Sequence, residues 1–406
     1  MIELKALKRS NKNIKLFLII NIVASFAMGI FNMFVGIYLK EVGYQEQFVG
    51  FILSINTFAI AIASIPSAYF IEKIGRKKSF VLGFICIAIG GTFLVSVDNK
   101  FFIMIMAVVN GFGLSIKSTA EGMYITENTS EDERVSIFSI NFVMSNIGMM
   151  SASFIGGILS SYMSKYVNSD QAIVYVFIIS SILSLSALVP IKMMKEPENL
   201  KPRNLKECLH GYIEIINKKV MVFMSYNIMI GIGAGMVVPF FSVYLKYSMN
   251  ISDSIVGIIL SISQFGCILG GLIIPILSER IGKAKSVIFC QLISIPFLLS
   301  IAFPQGIFII TVSFFMRNGL MNMATPLTQN LSMELVDVRQ RTNLSSILSL
   351  SSNISRAIGI SIGGFLMENC GYNTPYYFTV VCYIVGVLLF SNIYKEQLST
   401  KKVKII

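Results

Sequence analysis

Apolar residues fill this chain in long runs, and the polar residues are gathered into short breaks between them. Twelve such runs can be drawn, at 14–39, 47–71, 79–97, 101–124, 136–163, 171–191, 221–246, 254–277, 286–303, 306–333, 342–367 and 375–393. A bilayer core of about 30 Å needs about 20 apolar helical residues to cross it. The runs are long and continuously apolar, whereas barrel strands are short and alternate, so the pattern predicts helices rather than a barrel. The first run is too long to be a cleaved leader and is expected to be retained.

The breaks repeat. Glu72-Lys73-Ile74-Gly75-Arg76-Lys77-Lys78 returns as Glu279-Arg280-Ile281-Gly282-Lys283-Ala284-Lys285, at an offset of about 207 residues. Glu127, Arg134, Ser145-Asn146-Ile147 and Gly156-Gly157 recur as Glu334, Arg341, Ser352-Asn353-Ile354 and Gly363-Gly364. A duplicated membrane half is the mark of a secondary transporter, in which the site lies where the halves meet. The expected fold class is therefore an all-α integral membrane protein of twelve transmembrane helices in two pseudo-symmetric six-helix bundles. The expected domains are residues 1–194, a cytoplasmic linker at 195–219 and a second bundle with a short tail at 220–406.

Composition agrees with that reading. Hydrophobic residues make up 54% and charged residues 13% of the chain, where a soluble domain carries roughly 25% charged. A net charge of +12 would suggest nucleic acid in a soluble protein, but its distribution points elsewhere. Of the basic residues, 26 fall in alternate breaks and the termini, against only Lys40, Lys100, Lys165 and Lys246 in the opposite ones. The positive-inside rule then puts both termini and the linker in the cytoplasm of a multi-pass protein of the cell membrane. Within the linker, 205–216 has the character of a short amphipathic surface helix.

Several chemistries lack their parts. His210 is the only histidine, and the six cysteines are scattered without Cys-x-x-Cys spacing, so neither metal nor disulfide is expected. No nucleophile–base set or paired carboxylates appear in the spans and no phosphate-binding glycine loop occurs, so no enzyme, cofactor or direct ATP drive is expected. Gly231–Gly235 and Pro239 in the seventh run, with Pro275, Pro296 and Pro326 in the next three, are expected to bend helices or let backbones approach closely.

The loop between the second and third runs resembles that of the major facilitator superfamily, which carries Gly-x-x-x-Asp-Arg/Lys-x-Gly-Arg-Arg/Lys there and a weaker copy between spans eight and nine. In this chain Ala68 stands at the first glycine and Glu72 at the aspartate, while Lys73, Gly75, Arg76 and Lys77 fit. In the second copy Pro275 holds the glycine position, and Glu279, Arg280, Gly282 and Lys283 fit. The resemblance implies a cytoplasmic gating motif, with Glu72 facing the start of span eleven near Arg341–Ser345. Two family features are missing. Ala107 replaces an arginine in span four, and Ala152–Gly157 lacks the proline of the proton antiporter exporters.

Few charges remain at membrane depth: Lys117 and Glu121 in span four, Arg317 in span ten and Arg356 in span eleven. Each costs about 2.5–3.5 kcal/mol near the bilayer centre, so a cavity or partner is expected. Polar stripes add Asn21 and Asn32 in span one, Asn110 in span four, Asn227 as the repeat partner of Asn21, Asn318 and Asn322 in span ten, and Asn353 in span eleven. These are the candidate substrate-binding residues, with Glu121 as the proton carrier through its pairing with Lys117. Small-molecule substrate, protons and membrane lipid are the expected partners, in a monomer without nucleic acid. The expected function is proton-coupled efflux of drugs or metabolites by alternating access; proton-coupled uptake of an organic anion is the alternative, and a non-transporting sensor or channel the reading from another class.

Overall fold

The computed structural model describes residues 11–195, 217–303, 306–337, 340–395 and 398. The amphipathic stretch 205–216, His210 and Cys208 lie outside the described residues. The first six helices are α1 (Lys12–Glu41), α2 (Glu46–Ile74), α3 (Arg76–Leu94), α4 (Lys100–Asn128), α5 (Glu131–Met163) and α6 (Ser169–Ser186, continued by Leu188–Met193). Six more follow: α7 (Lys218–Val237), α8 (Asp253–Ile281), α9 (Lys283–Ala302), α10 (Ile307–Met323, continued by Thr325–Met333), α11 (Arg341–Cys370) and α12 (Thr374–Ile393). All twelve expected spans are present.

Among the described residues, eleven helices are long and apolar enough to cross a membrane. The remaining one, α11, has the length, at 30 residues, but carries the Ser, Asn and Arg stripe seen in the sequence. A helix that polar is held in a membrane by packing its stripe against protein rather than lipid.

Helix ends follow from local chemistry. The side chains of Asn11, Asn99 and Asn217 accept from the backbone N–H of Ile14, Phe102 and Val220, capping α1, α4 and α7. Gly75 and Gly282 end α2 and α8 with φ of 90° and 87°, where a side chain would be strained. Ser79 and Ser286 then donate their hydroxyls to the carbonyls of those same glycines, so the duplicated loop has a duplicated turn.

The expected breakers divide into two kinds. At Pro239 the seventh span loses α-helical form, passing through a 3₁₀ turn at Val238–Phe240 and a π segment at Tyr244–Ser248. Pro326 begins the second piece of α10 after a break at Ala324. Pro275 and Pro296 sit inside continuous helices.

Contacts group the chain into two units, Met1–Arg203 with Leu245–Ser261, and Asn204–Tyr244 with Ile262–Ile406. In the first, Phe17, Phe80 and Tyr124 stack in a core with Ile14, Phe84 and Ile125. Segment Leu245–Ser261 joins this unit through Lys246, which pairs with Glu41 at 2.8 Å and Asp253 at 2.9 Å; Ser160 also donates to Asp253 at 2.6 Å. In the second unit Phe223, Tyr226, Phe390 and Tyr394 form the equivalent aromatic core.

The glycines of α7 permit close backbone approach to α11. A Cβ at Gly235 would lie 2.3 Å from the Arg356 carbonyl oxygen, and one at Gly359 would lie 2.2 Å from that of Ile232. Gly235→Val should therefore force these helices apart, at a cost of several kcal/mol on top of the usual overpacking range of about 1–3. Gly122 in α4 has open space at its Cβ, so Gly122→Ala should be neutral or slightly stabilising. Size-exclusion profiles after heating would read the difference; equal profiles would refute the close packing of α7 on α11.

Candidate functional site

The first unit holds a closed polar ring built by α1, α4 and α5. Lys117 and Glu121 stand one turn apart on α4, and the lysine donates to Glu121 Oε2 at 2.5 Å. Lysine before glutamate is the weaker order for such a pair, so other groups must hold it. Lys117 also donates to Asn21 Oδ1 at 2.5 Å. The Asn21 amide donates to Asn141 Oδ1 at 2.6 Å and to Ser145 Oγ at 2.7 Å. Asn141 in turn donates to Glu121 Oε1, closing the ring.

Asn21 is wholly buried, and the side chains of Lys117 and Glu121 are 12% and 17% exposed. Each polar atom has a complementary neighbour, which is what permits an ion pair to sit among apolar helices. Glu121 holds the only titratable acid of the ring.

Asn141 and Ser145 are members that sequence reasoning missed. They are polar positions four apart in an apolar run, a signal as strong as the one that nominated Asn21. Two residues nominated in the first unit lie outside the ring. Asn110 shares Lys117's stripe, but seven residues separate them by about 10 Å along the axis. Its amide donates to the Ile87 carbonyl and accepts from Asn56, stitching α2, α3 and α4. Asn32 is exposed on α1.

The ring has no copy in the second unit. At the offset of the repeat, Lys117, Glu121 and Asn141 correspond to Ala324, Thr328 and Leu348. Asn227 keeps its place, donating to the Leu348 carbonyl at 2.8 Å and so joining α7 to α11 as Asn21 joins α1 to α5. Duplication supplied the helix contact, and only the first copy carries the charges.

The second unit has cations instead. Arg317 on α10 is 2% exposed, donates to the Tyr383 hydroxyl at 2.8 Å, and lies over the Phe241 ring at 5.2 Å. Arg356 on α11 is half-buried. Asn318 donates to the Ser263 carbonyl at 3.2 Å, and Asn322 donates back to Asn318 at 2.8 Å, a helix-joining chain. Asn353 donates to the Ser349 carbonyl of its own helix.

The loop motif is an ion-pair device in both units. Arg76 is buried and reaches Glu127 through Nη2 at 2.5 Å and Nε at 3.2 Å. Lys283 reaches Glu334 at 2.8 Å, the same pair one repeat later. Sequence reasoning matched these glutamates across the repeat without seeing that they answer the motif's cations. Lys77 donates to the carbonyls of Lys192 and Met194 at the end of α6. Lys73, Glu279 and Arg280 are exposed, and Glu72 is half-buried in the last turn of α2.

Twelve membrane-length helices in a duplicated plan, with charges among them and a duplicated loop motif, define a multi-pass membrane protein with the plan of the secondary transporters. The family profile described as Major Facilitator Superfamily matches residues 17–226 and again 223–404. The chain belongs to the Major Facilitator Superfamily.

Relatives within it are diverse. The galactose-proton symporter of Escherichia coli (strain K12) is 28% identical over 134 residues, which are 33% of this chain and 28% of the symporter's length. Multidrug resistance protein MdtG of Proteus mirabilis (strain HI4320) is 20% identical over 373 residues, 89% of each chain. Among solved structures, the nucleoside transporter NupG superposes with a TM-score of 0.77 at 14% identity, over 95% of this chain and 100% of that one, a likeness of fold.

Proposed function

We propose that this chain is a proton-coupled exporter of a small organic molecule, a drug or a metabolite, working by alternating access. The observation that carries the reading is the Lys117–Glu121 pair enclosed by Asn21 and Asn141, an acid–base couple buried among α1, α4 and α5. Protonation of Glu121 releases Lys117, and the change in pairing biases the helices that carry the ring. The substrate meets the polar groups of α10 and α11 in the second unit. The protein sits as a monomer in the cell membrane with both termini cytoplasmic, exchanging only substrate and protons and needing no cofactor.

Likeness to MdtG along nearly the whole chain supports export. Uptake is the second reading. It is favoured by Ala152–Gly157, where the proline of antiporter exporters is missing, and by the partial likeness to a galactose-proton symporter.

Proteoliposomes separate the readings without needing a fixed orientation. Organic acids, sugars and lipophilic cations are offered to vesicles with an imposed pH difference. Antiport accumulates solute in vesicles with an acid lumen, and this is the expected result. Accumulation driven by an acid exterior would establish the symport reading instead. Accumulation indifferent to a protonophore would overturn proton coupling altogether.

A further inference from the structure

The polarity of the ring in the first unit is forced from its two charged ends. A lysine ammonium can only donate, so Asn21 turns its Oδ1 towards Lys117, at 2.5 Å. An ionised carboxylate can only accept, so Asn141 turns its amide nitrogen towards Glu121 Oε1. The two asparagines are then left facing each other nitrogen to oxygen, and Asn21 Nδ2 donates to Asn141 Oδ1 at 2.6 Å. The amides lie head to tail between the cation and the anion. Ser145 Oγ, which accepts from Asn21 Nδ2 at 2.7 Å, belongs to a hydroxyl that can either donate or accept.

Lys117, one turn away on the same helix, is the only cation in ion-pair reach of Glu121 among the described residues. The charges of α1, α2 and α5 all lie in the end turns of those helices, so at this level α1 and α5 present amides and a hydroxyl. From α3 it is Gly83 that packs beside Lys117, where a Cβ would lie 3.4 Å from the lysine's own. The α3 cations Arg76 and Lys77 are bound to Glu127 and to the carbonyls of Lys192 and Met194. The charge on Glu121 therefore decides which way the amides point.

We propose that Asn21 and Asn141 form a relay that reverses when Glu121 takes up a proton, and so cuts Lys117 from α1. The inference rests on the reading of Glu121 as the proton carrier. A proton on Oε1 makes that oxygen a donor facing the Asn141 amide nitrogen, which is also a donor. Asn141 resolves the clash by turning its amide about χ2, which exchanges two groups of nearly equal size and needs little room. Its nitrogen then faces Asn21 Nδ2, and Asn21 turns in the same way. Ser145 follows by rotating its hydroxyl to donate to Asn21 Oδ1. The reversed chain is satisfied from Glu121 to Asn21, but it now ends on a donor, with Asn21 Nδ2 against the Lys117 ammonium. Lys117 loses the acceptor that ties α4 to α1 and keeps only a neutral carbonyl oxygen of Glu121. No proton moves beyond Glu121; what travels along the ring is the direction of its hydrogen bonds. Asn227, in the place of Asn21 in the second unit, donates to the Leu348 backbone carbonyl, which only accepts, so that contact cannot reverse.

The test is infrared difference spectroscopy of the full-length protein in detergent, with protons as the only ligand. The sample is stepped between about pH 8 and about pH 4, across the carboxyl range, with ordinary and with isotope-labelled asparagine. The part of the carboxyl signal lost in Glu121→Gln belongs to Glu121. The same step is expected to change side-chain amide bands that move on labelling, and Glu121→Gln should lose those changes completely. Asn141→Leu should keep the Glu121 carboxyl signal and lose the asparagine changes, since Asn21 no longer receives the reversal. Asparagines that merely hold the helices together would give no such changes in the wild type.

A Glu121 carboxyl signal without asparagine changes would overturn the relay and leave Glu121 as the proton carrier. Asparagine changes that persist in Glu121→Gln or in Asn141→Leu would also overturn it, because their source lies outside the chain of amides. Absence of any carboxyl signal from Glu121 would remove the relay and the proton carrier together.

Discussion

Glu121→Gln will abolish accumulation driven by a pH difference while leaving solute exchange across the membrane intact. Glutamine has nearly the shape of glutamate but cannot take up or lose a proton, so the substitution removes the titration and little else by volume. It does change the ring. Glu121 accepts from Lys117 on one oxygen and from Asn141 on the other, and an amide can satisfy only one of those donors. Whichever way the amide turns, Lys117 is left as a buried cation without a counter-charge, which costs about 3–5 kcal/mol when one partner of a buried pair is removed.

The single variant should therefore be both uncoupled and less stable. The double variant Lys117→Met, Glu121→Gln separates the two effects. Removing both charges removes the unpaired cation, so thermal stability should return towards the wild-type value. Coupling should not return with it. Counterflow in vesicles with equal pH on both sides reads exchange, and an imposed pH difference reads coupling. Wild-type pH-driven accumulation by Glu121→Gln would end the assignment of Glu121 as the proton carrier.

The architecture was legible in the sequence because lipid enforces it. A helix that crosses a bilayer must satisfy its own backbone and be apolar for about 20 residues, and both demands are written in residue order. Even α11, the helix with the Ser, Asn and Arg stripe, was drawn as the run 342–367, and its Ser352-Asn353-Ile354 and Gly363-Gly364 match α5 across the repeat. The charges at depth were legible for the same reason, since Lys117, Glu121, Arg317 and Arg356 stand out in an apolar field.

Partner identity was not legible. Asn21, Asn110 and Asn141 look alike as single amides in apolar runs, yet two close the ring and one stitches α2, α3 and α4. The distinction depends on the level at which each helix crosses its neighbours, a three-dimensional quantity with no period in the sequence. The pairing of Arg76 with Glu127 was hidden likewise, because the two residues are 51 positions apart on different helices.

That pairing sets up the sharpest contrast within one molecule. Arg76–Glu127 and Lys283–Glu334 are the same interaction at equivalent places in the two repeats, but their surroundings differ. The side chains of Arg76 and Glu127 are 4% and 26% exposed; those of Lys283 and Glu334 are 47% and 41% exposed. Arg76 is held by both Nε and Nη2, whereas Lys283 shares its ammonium between Glu334 and Asn330.

Glu127→Gln leaves a buried guanidinium with no carboxylate in place, and the expected loss is about 3–5 kcal/mol. Glu334→Gln leaves a lysine that water can solvate, and the expected loss is below about 1 kcal/mol. Repeat position and chemical change are matched between the two variants, so the comparison turns on burial and on the cation, a two-point arginine against a lysine. Thermal unfolding of both in the same detergent compares them directly. Raised salt should narrow the gap little, because the buried pair is poorly screened and the exposed pair contributes little to begin with. Equal losses would mean that the duplicated motif acts through its turn, set by Gly75 and Gly282, and that its ion pairs add nothing that depends on being dry.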